Sequence, residues 1–318
     1  MKSAVAPTFV LSLDTELVWG TLATHGPYFN RTAYLNTRNA VKKLLKLLES
    51  YSISATWAVV GHLMTGDGRT VDGEYVATEN KPNATITGEK HDEGDPTLHA
   101  RDLITLIRNA SPQQEIGCHT FSHINCATCS PEELRSELKE CITTALTMGI
   151  TMRSYIFPYN AGGCYDIIQS HGFLTYRGME ISWYRHFPKF LQGSLHLLDQ
   201  LLAITPPTYQ PVRTTSELIT IPGSMLYLSM EGIRGAIPVS QRVRKARKGI
   251  NRAIQRKEIF HLWFHPSDLA LKTNELLQGL DEILSYAAEK RNEGQLKILT
   301  MEQAAIRFSE SIKEEQQC

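Results

Sequence analysis

Apolar positions along the chain switch between two spacings. Residues 8–13, Thr-Phe-Val-Leu-Ser-Leu, form a nearly unbroken β-prone run, the mark of a strand covered on both faces in a parallel sheet or barrel. Between 37 and 50, Val41, Leu44, Leu45, Leu47 and Leu48 recur at helical spacing, with lysines on the other face. Residues 54–61, Ser-Ala-Thr-Trp-Ala-Val-Val-Gly, return to strand, so the three segments read as a right-handed parallel unit. The rhythm breaks over 65–97, where Gly, Asp, Glu, Thr and Asn dominate; a loop this long is read as a lid or rim insertion.

Helix resumes over 96–109, and Glu115-Ile116-Gly117 reads as the end of a short strand. Ser130 opens the next helix as N-cap, with Pro131 at its first position and Glu133 at its third, and Leu134, Leu138, Ile142 and Leu146 are placed on one face. A strand from 153 halts at Pro158; a helix holding Ile167 and Ile168 leads to another strand at 173–178. Residues 183–240, broken by Pro206, Pro207, Pro211, Pro222 and Pro238, suggest few elements. A helix over 241–257 carries Val243, Ala246, Ile250 and Ile254 on one side and arginines and lysines elsewhere. Strand 259–264, a helix over 274–291, a short strand at 296–299 and a final helix follow, with the tail 313–318 expected to fray.

At 318 residues the chain can build one large barrel or sandwich domain, or two ordinary domains, with a core that needs no covalent staple. Lys plus Arg, 33, equal Asp plus Glu, 33, so no global field draws it to nucleic acid or membrane, and an anionic partner must meet a local patch. Residues 242–257 are the candidate patch, for a phosphate-bearing substrate or a peripheral contact with an anionic membrane; the plainer reading is a solvated basic face. The first apolar run is broken by Pro7 and ended by Asp14, too short for a signal segment, and no later run is long enough to span a bilayer. Six cysteines, at 118, 126, 129, 141, 164 and 318, are scattered without an export signal, so reduced thiols and a cytoplasmic location are expected.

Chemistry collects where strands end. Asp14 and Glu16, one residue apart after the first strand, point the same way into whatever pocket the loops build. His119 and His123, in Gly-Cys-His-Thr-Phe-Ser-His, lie one helical turn apart or on neighbouring positions of a tight loop, and either geometry lets both reach one cation. His265 ends the strand at 259–264 and precedes Pro266. Two histidines and a carboxylate with open positions match catalytic zinc or another divalent cation; the second carboxylate suits a base, and the lone histidine an acid.

Ser12-Leu-Asp14-Thr-Glu16, His119-Thr-Phe-Ser-His123 and Leu262-Trp-Phe-His265-Pro266, in this order, resemble the motifs of the polysaccharide deacetylase family, the NodB-homology or carbohydrate esterase 4 group. The resemblance spans roughly residues 8 to 305 and implies a distorted (β/α)7 barrel over a single domain, 1–318. It implies metal-dependent removal of an acetyl or formyl group from an amino sugar, with Glu16, His119 and His123 as ligands of a divalent ion such as zinc, cobalt, nickel or manganese. Asp14 is then the base, His265 the acid, and a backbone N–H near Tyr159 a donor to the oxyanion. Substrate contacts are expected from Trp19, Tyr159, Asn160, Arg177 and Trp183, since aromatic faces stack on sugar rings.

Two departures stand out. The acid-x-acid spacing is like the intracellular branch, which includes members acting on lipid-linked or nucleotide-linked sugars and on small cyclic amides. An arginine usually stands two residues before the proline of the third motif, where this chain has Ile156, and Arg177 or Arg153 is the candidate replacement as partner of Asp14. Three further readings remain: a cyclic-amide or ureide hydrolase, an inactive carbohydrate-binding member, and a structural zinc site from His119, His123, Cys126 and Cys129. Eleven residues holding all four ligands would strain the last.

Overall fold

Two apolar stripes decide how the strands sit. The computed structural model describes residues 5–26, 31–65 and 95–317, so the expected lid lies outside the described residues except at its two ends. In β1 (Thr8–Thr15) every residue is buried. Its odd positions Phe9, Leu11 and Leu13 join the large cluster beneath the helices, while Val10 joins a second cluster inside the curl of the sheet. Strand alternation thus turns Val10, Ser12 and Asp14 inward, in that order towards the carboxyl end.

The remaining strands are β2 (Thr56–Val59), β3 (Glu115–Cys118), β4 (Ser154–Tyr155), β5 (Thr175–Tyr176), β6 (Val212–Arg213), β7 (Ile219–Thr220), β8 (Met225–Leu226), β9 (Ile259–Phe264) and β10 (Lys297–Ile298). Their order is β6-β7-β5-β4-β3-β2-β1-β9-β8, with β10 also on β1, and all pairings but β6 with β7 are parallel. The result is a curled, open barrel of the distorted (β/α)7 type.

Helices α1 (Trp19–His25), α2 (Arg31–Ser50), α3 (Arg101–Arg108), α4 (Pro131–Thr147), α5 (Tyr165–Ser170), α6 (Lys189–Leu201), α7 (Val239–Arg256), α8 (Thr273–Asn292) and α9 (Met301–Gln317) complete the described chain. No helix among the described residues is long and apolar enough to cross a membrane. Ser130 caps α4 as its residue types suggest, with the reciprocal Glu133 bond in place. The buried stripe of α4, however, is Leu134, Leu138, Cys141 and Ala145, and Leu146 is exposed. Steps of four residues advance 40° past a full turn, so three in succession rotate off the face, and a 4-3-4 spacing keeps to it.

Helix α9 runs through the segment expected to fray. Its Met301, Ala304, Ala305 and Phe308 pack on Val10, Ala58, Ile156 and Ile259 and fill the amino-terminal end of the curl. Helix α6 lies in the stretch that suggested few elements; it presents much of its apolar surface outward, so no inward stripe marks it.

Above this floor His261, inward on β9, bonds Ser12 Oγ through Nε2 at 2.8 Å. Burial, reinforced by the Arg177 charge, drives its pKa down to about 3, so it is neutral in the folded chain. An unfolded chain binds a proton there below about pH 6.5, so the stability present above that pH drains away as pH falls towards 3. The gap in melting temperature between wild type and His261→Gln is therefore expected to narrow between pH 6.5 and 4; a constant gap would refute the assignment.

Candidate active site

The inward column of β1 continues upward into the ionisable groups. Asp14 is 3% exposed, and Arg177, at the end of β5, clasps it: Nη1–H donates to Oδ1 and Nη2–H to Oδ2, both at 2.6 Å. Nη1–H also reaches Ser12 Oγ at 3.2 Å, and Nη2–H donates to Asn160 Oδ1 at 2.9 Å. The guanidinium carbon sits 4.2 Å from the centre of the Trp263 ring. Burial opposes ionisation of Asp14, but the Arg177 charge and hydrogen bonds, with His119 and His265 beyond, outweigh it and hold the carboxyl below its ordinary range.

Ile156 shows why the arginine comes from another strand. Its side chain belongs to the interior apolar cluster, so the end of β4 supplies no charge, and Arg177 enters from the neighbouring β5 instead. Arg153, the other candidate, donates to Gly172 O and does not reach Asp14. Arg177 itself is buried beneath the acid, which corrects its placement among substrate contacts.

One layer higher, Glu16 Oε2 lies 2.9 Å from His123 Nε2 and 3.3 Å from His119 Nε2. Among the described residues these three form the group whose ligand atoms fall within 4.8 Å of one another. His119 Nδ1–H donates to Ile156 O at 2.8 Å, which leaves the Nε2 lone pair of the neutral ring facing a carboxylate oxygen. Two lone pairs so opposed require a cation or a proton between them, and an N₂O donor set of this kind suits a divalent transition metal. The residues present therefore fit a metal ion. Burial opposes the ionised form of Glu16, yet the charges of His265 and His123 and the bonds from both ligand histidines keep its carboxyl far below the usual range.

The histidine pair is held in a tight loop, not on a helix. Thr120 and His123 both have positive φ, 59° and 60°, a costly state for a β-branched residue and one that neighbours must enforce. Glu137 on α4 does much of this, accepting from Phe121 N at 2.8 Å, Ser122 N at 2.7 Å and Ser122 Oγ at 2.5 Å. Gly61 N and His62 N bind the carbonyls of Thr120 and Phe121 from the other side. On the opposite flank Gly20 leaves room for the acid: a Cβ there would lie 1.9 Å from Glu16 Oε1.

His265 completes the ring, with Nε2 at 3.6 Å from Glu16 Oε1 and 3.8 Å from Asp14 Oδ2. Asp268 accepts from its Nδ1–H at 3.1 Å and from its backbone N–H at 3.2 Å, fixing the ring. Burial disfavours the imidazolium, but Glu16, Asp268 and Asp14 together raise the pKa to about 10.

The aromatic residues divide. Tyr159, 45% exposed and itself at φ 57°, stands edge-on to His123 at 4.7 Å, on the rim. Asn160 is engaged with Arg177. Trp19 is not an open platform: its indole is buried, stacks on His62 at 4.1 Å and donates to Leu98 O. Trp183 lies against α6, donating to Asp199 Oδ1 at 2.9 Å. Cys126, whose thiol meets the Tyr155 hydroxyl at 3.2 Å, stands outside the candidate metal group, as does Cys129.

Of the basic helix, Arg242 and Lys245 point inward. Arg242 donates to the carbonyls of Ile237, Ser229 and Arg234, and Lys245 pairs with Asp199, so only part of 242–257 remains as a surface patch. Gly20, Glu137 and Asp268 carry no motif that sets them apart in the sequence, although Asp268 stands at capping-box spacing from His265.

Residues 28–170 match a family model described as polysaccharide deacetylase; the match includes His119, His123, Tyr159 and Asn160 and stops short of Asp14, Glu16, Arg177 and His265. No curated protein matches the chain. Among solved structures it is similar to a Mycobacterium smegmatis protein assigned as a polysaccharide deacetylase, with TM-score 0.64 and 15% identity over 95% of this chain and 90% of that one. A protein of Pseudomonas aeruginosa PAO1 with the same assignment gives 0.60 and 12%, over 95% and 91%. Puue allantoinase gives 0.59 and 13%, over 96% and 91%. At such identities these likenesses are of fold.

Proposed function

We propose that the chain is a member of the polysaccharide deacetylase family, whose model it matches over residues 28–170, and that, as a hydrolase of carbon–nitrogen bonds other than peptide bonds, it removes an N-acyl group, acetyl or formyl, from an amino sugar. The observation that carries this reading is the convergence of an ionised Asp14, the Glu16-His119-His123 cluster and a protonated His265 at one end of the barrel.

Glu16, His119 and His123 would hold the metal, and zinc is the leading candidate for that donor set. When bound, a divalent cation supplies Lewis acidity, polarising an acyl carbonyl and acidifying water. Asp14, kept as carboxylate by Arg177, accepts the proton of the attacking water. A backbone N–H near Tyr159 is the proposed donor to the oxyanion that develops on the acyl carbonyl oxygen. His265, held by Asp268, passes its proton to the nitrogen as the C–N bond breaks, so the products are a carboxylic acid and a free amine.

A phosphate- or lipid-linked form of the sugar is the narrower part of the reading. Exposed Arg185 and Lys189, which follow Arg177 along the chain, support it. A cytoplasmic site of action belongs to the same reading.

Acetate and formate release from N-acylated amino sugars, free and phosphate-linked, by metal-loaded wild type and Asp14→Asn tests this. Wild type is expected to release one acid, and the variant to be slower by about 10²–10⁴-fold. Ring opening of a ureide without release from any sugar would overturn the substrate class in favour of a cyclic amide. Sugar binding without any turnover would instead mark an inactive member.

A further inference from the structure

Two exposed segments flank the mouth of the barrel beyond Arg177. Ile181, Phe187, Phe190 and Leu202 project from 181–202, and Ile233 from the 3-10 turn Gly232–Ala236; Phe190 is 81% exposed and Ile233 72%. Side chains of this size rarely stand in water so far out, and here several do so together. Two inward cations of α7 explain why the segments are neighbours. Arg242 donates to Arg234 O in the turn, and Lys245, one turn further along the same helix, pairs with Asp199 of α6. Tyr184 stacks on His196 at 5.2 Å and Trp183 meets Phe187 at 6.0 Å, which joins the stretch before α6 to the helix itself. The surface is therefore built on a buried ionic foundation and begins four residues after the arginine on Asp14.

Charge selects its occupant. Arg185, Lys189 and Arg234 are exposed among these apolar residues. Of the acids in 179–202 and 231–237, Asp199 is buried against Lys245 and Glu180 is half-buried, leaving Glu231 exposed. A second copy packed symmetrically would set these cations against their own images, whereas anionic headgroups meet them while the apolar side chains enter the acyl boundary.

We infer that 181–202 and the turn at 232–236 form a docking surface for an anionic lipid bilayer, with the mouth of the barrel facing the headgroups. This moves the membrane contact from 242–257, whose inward cations support the surface from beneath, to the elements that rest on that helix. It deepens the carrier-linked reading above and rests on that reading for its purpose, not for its observations.

Co-sedimentation of the full chain with phosphatidylglycerol-containing vesicles and with pure phosphatidylcholine vesicles tests it, using wild type, Phe190→Ser/Ile233→Ser and Arg185→Glu/Lys189→Glu. Wild type should sediment with anionic vesicles only, and each double variant should lose binding at least tenfold, while Phe190→Ser/Ile233→Ser leaves turnover of a soluble N-acylated sugar unchanged. These positions are solvent-exposed, and a circular dichroism melt matching wild type keeps the comparison valid. Wild type remaining in the supernatant, or binding untouched by the apolar substitutions, overturns the proposal. So does a wild-type dimer that Phe190→Ser/Ile233→Ser converts to monomer. Loss of soluble turnover in wild type would instead count against the hydrolase reading, and vesicle binding would stand apart from it.

Discussion

Arg177→Leu is expected to produce a chain that is both less stable and inactive. Asp14 would remain buried at the centre of the barrel with both oxygens stripped of their partners. Breaking a buried pair from one side costs about 3–5 kcal/mol, because the surviving charge is left in a poor solvent. Thermal melting reads that loss, and acyl release reads the second effect, the failure of Asp14 to stay ionised as a base. Adding Asp14→Asn to Arg177→Leu removes the stranded charge, so stability should largely return while turnover does not. Arg177→Lys offers one point charge where two parallel bonds are needed and should fall between. If Arg177→Leu melted with wild type, the ion pair would not be what holds Asp14 in place.

The second large effect is expected from a substitution that removes no functional group. Gly20→Ala places a methyl 1.9 Å from Glu16 Oε1, and the carboxylate must swing away from His119 and His123. Displacing one of the three proposed ligands should weaken divalent-metal affinity by about 10–100-fold, the range seen when the groups that orient ligands are lost. Calorimetric titration of the metal-free chain measures this without reference to turnover. Melting of the metal-free variant should change little, since Gly20 sits at the edge of the site. Unchanged affinity would mean that α1 yields more readily than Glu16, and the cradle would lose its role.

Much of this site could be read along the chain because each member of the ring stands at the carboxyl end of a strand or in the loop that follows it. Asp14, Glu16, His119, His123 and His265 are flanked by apolar runs, and a parallel barrel gathers the ends of its strands at one rim. What the linear pattern concealed has a common physical origin: these residues act through their place in space, which spacing along the chain does not reveal. Glu137 reaches the histidine loop from the far side of a helix, and Gly20 is informative only through the space it does not fill. The guanidinium shows the limit most clearly, because Ile156 occupies the expected position while Arg177, one strand over, delivers the same charge to the same carboxylate. Aromatic residues misled for a related reason. Trp19 has the composition of a sugar platform, and only its stacking on His62 and its bond to Leu98 reveal a wall. Leu146 and α6 failed through periodicity: one followed a spacing that drifts off the buried face, and the other turns its apolar side outward.

Helix α9 fills the amino-terminal end of the curl with Met301, Ala304, Ala305 and Phe308. With that end filled, the proposed reaction would send its acid and amine out past the carboxyl-end rim by which the next substrate arrives. On that reading only the acyl-bearing tip of a large molecule has to pass the threshold. The bulk of it stays outside, and the demands on the interior are set by the small group removed and not by the size of whatever carries it.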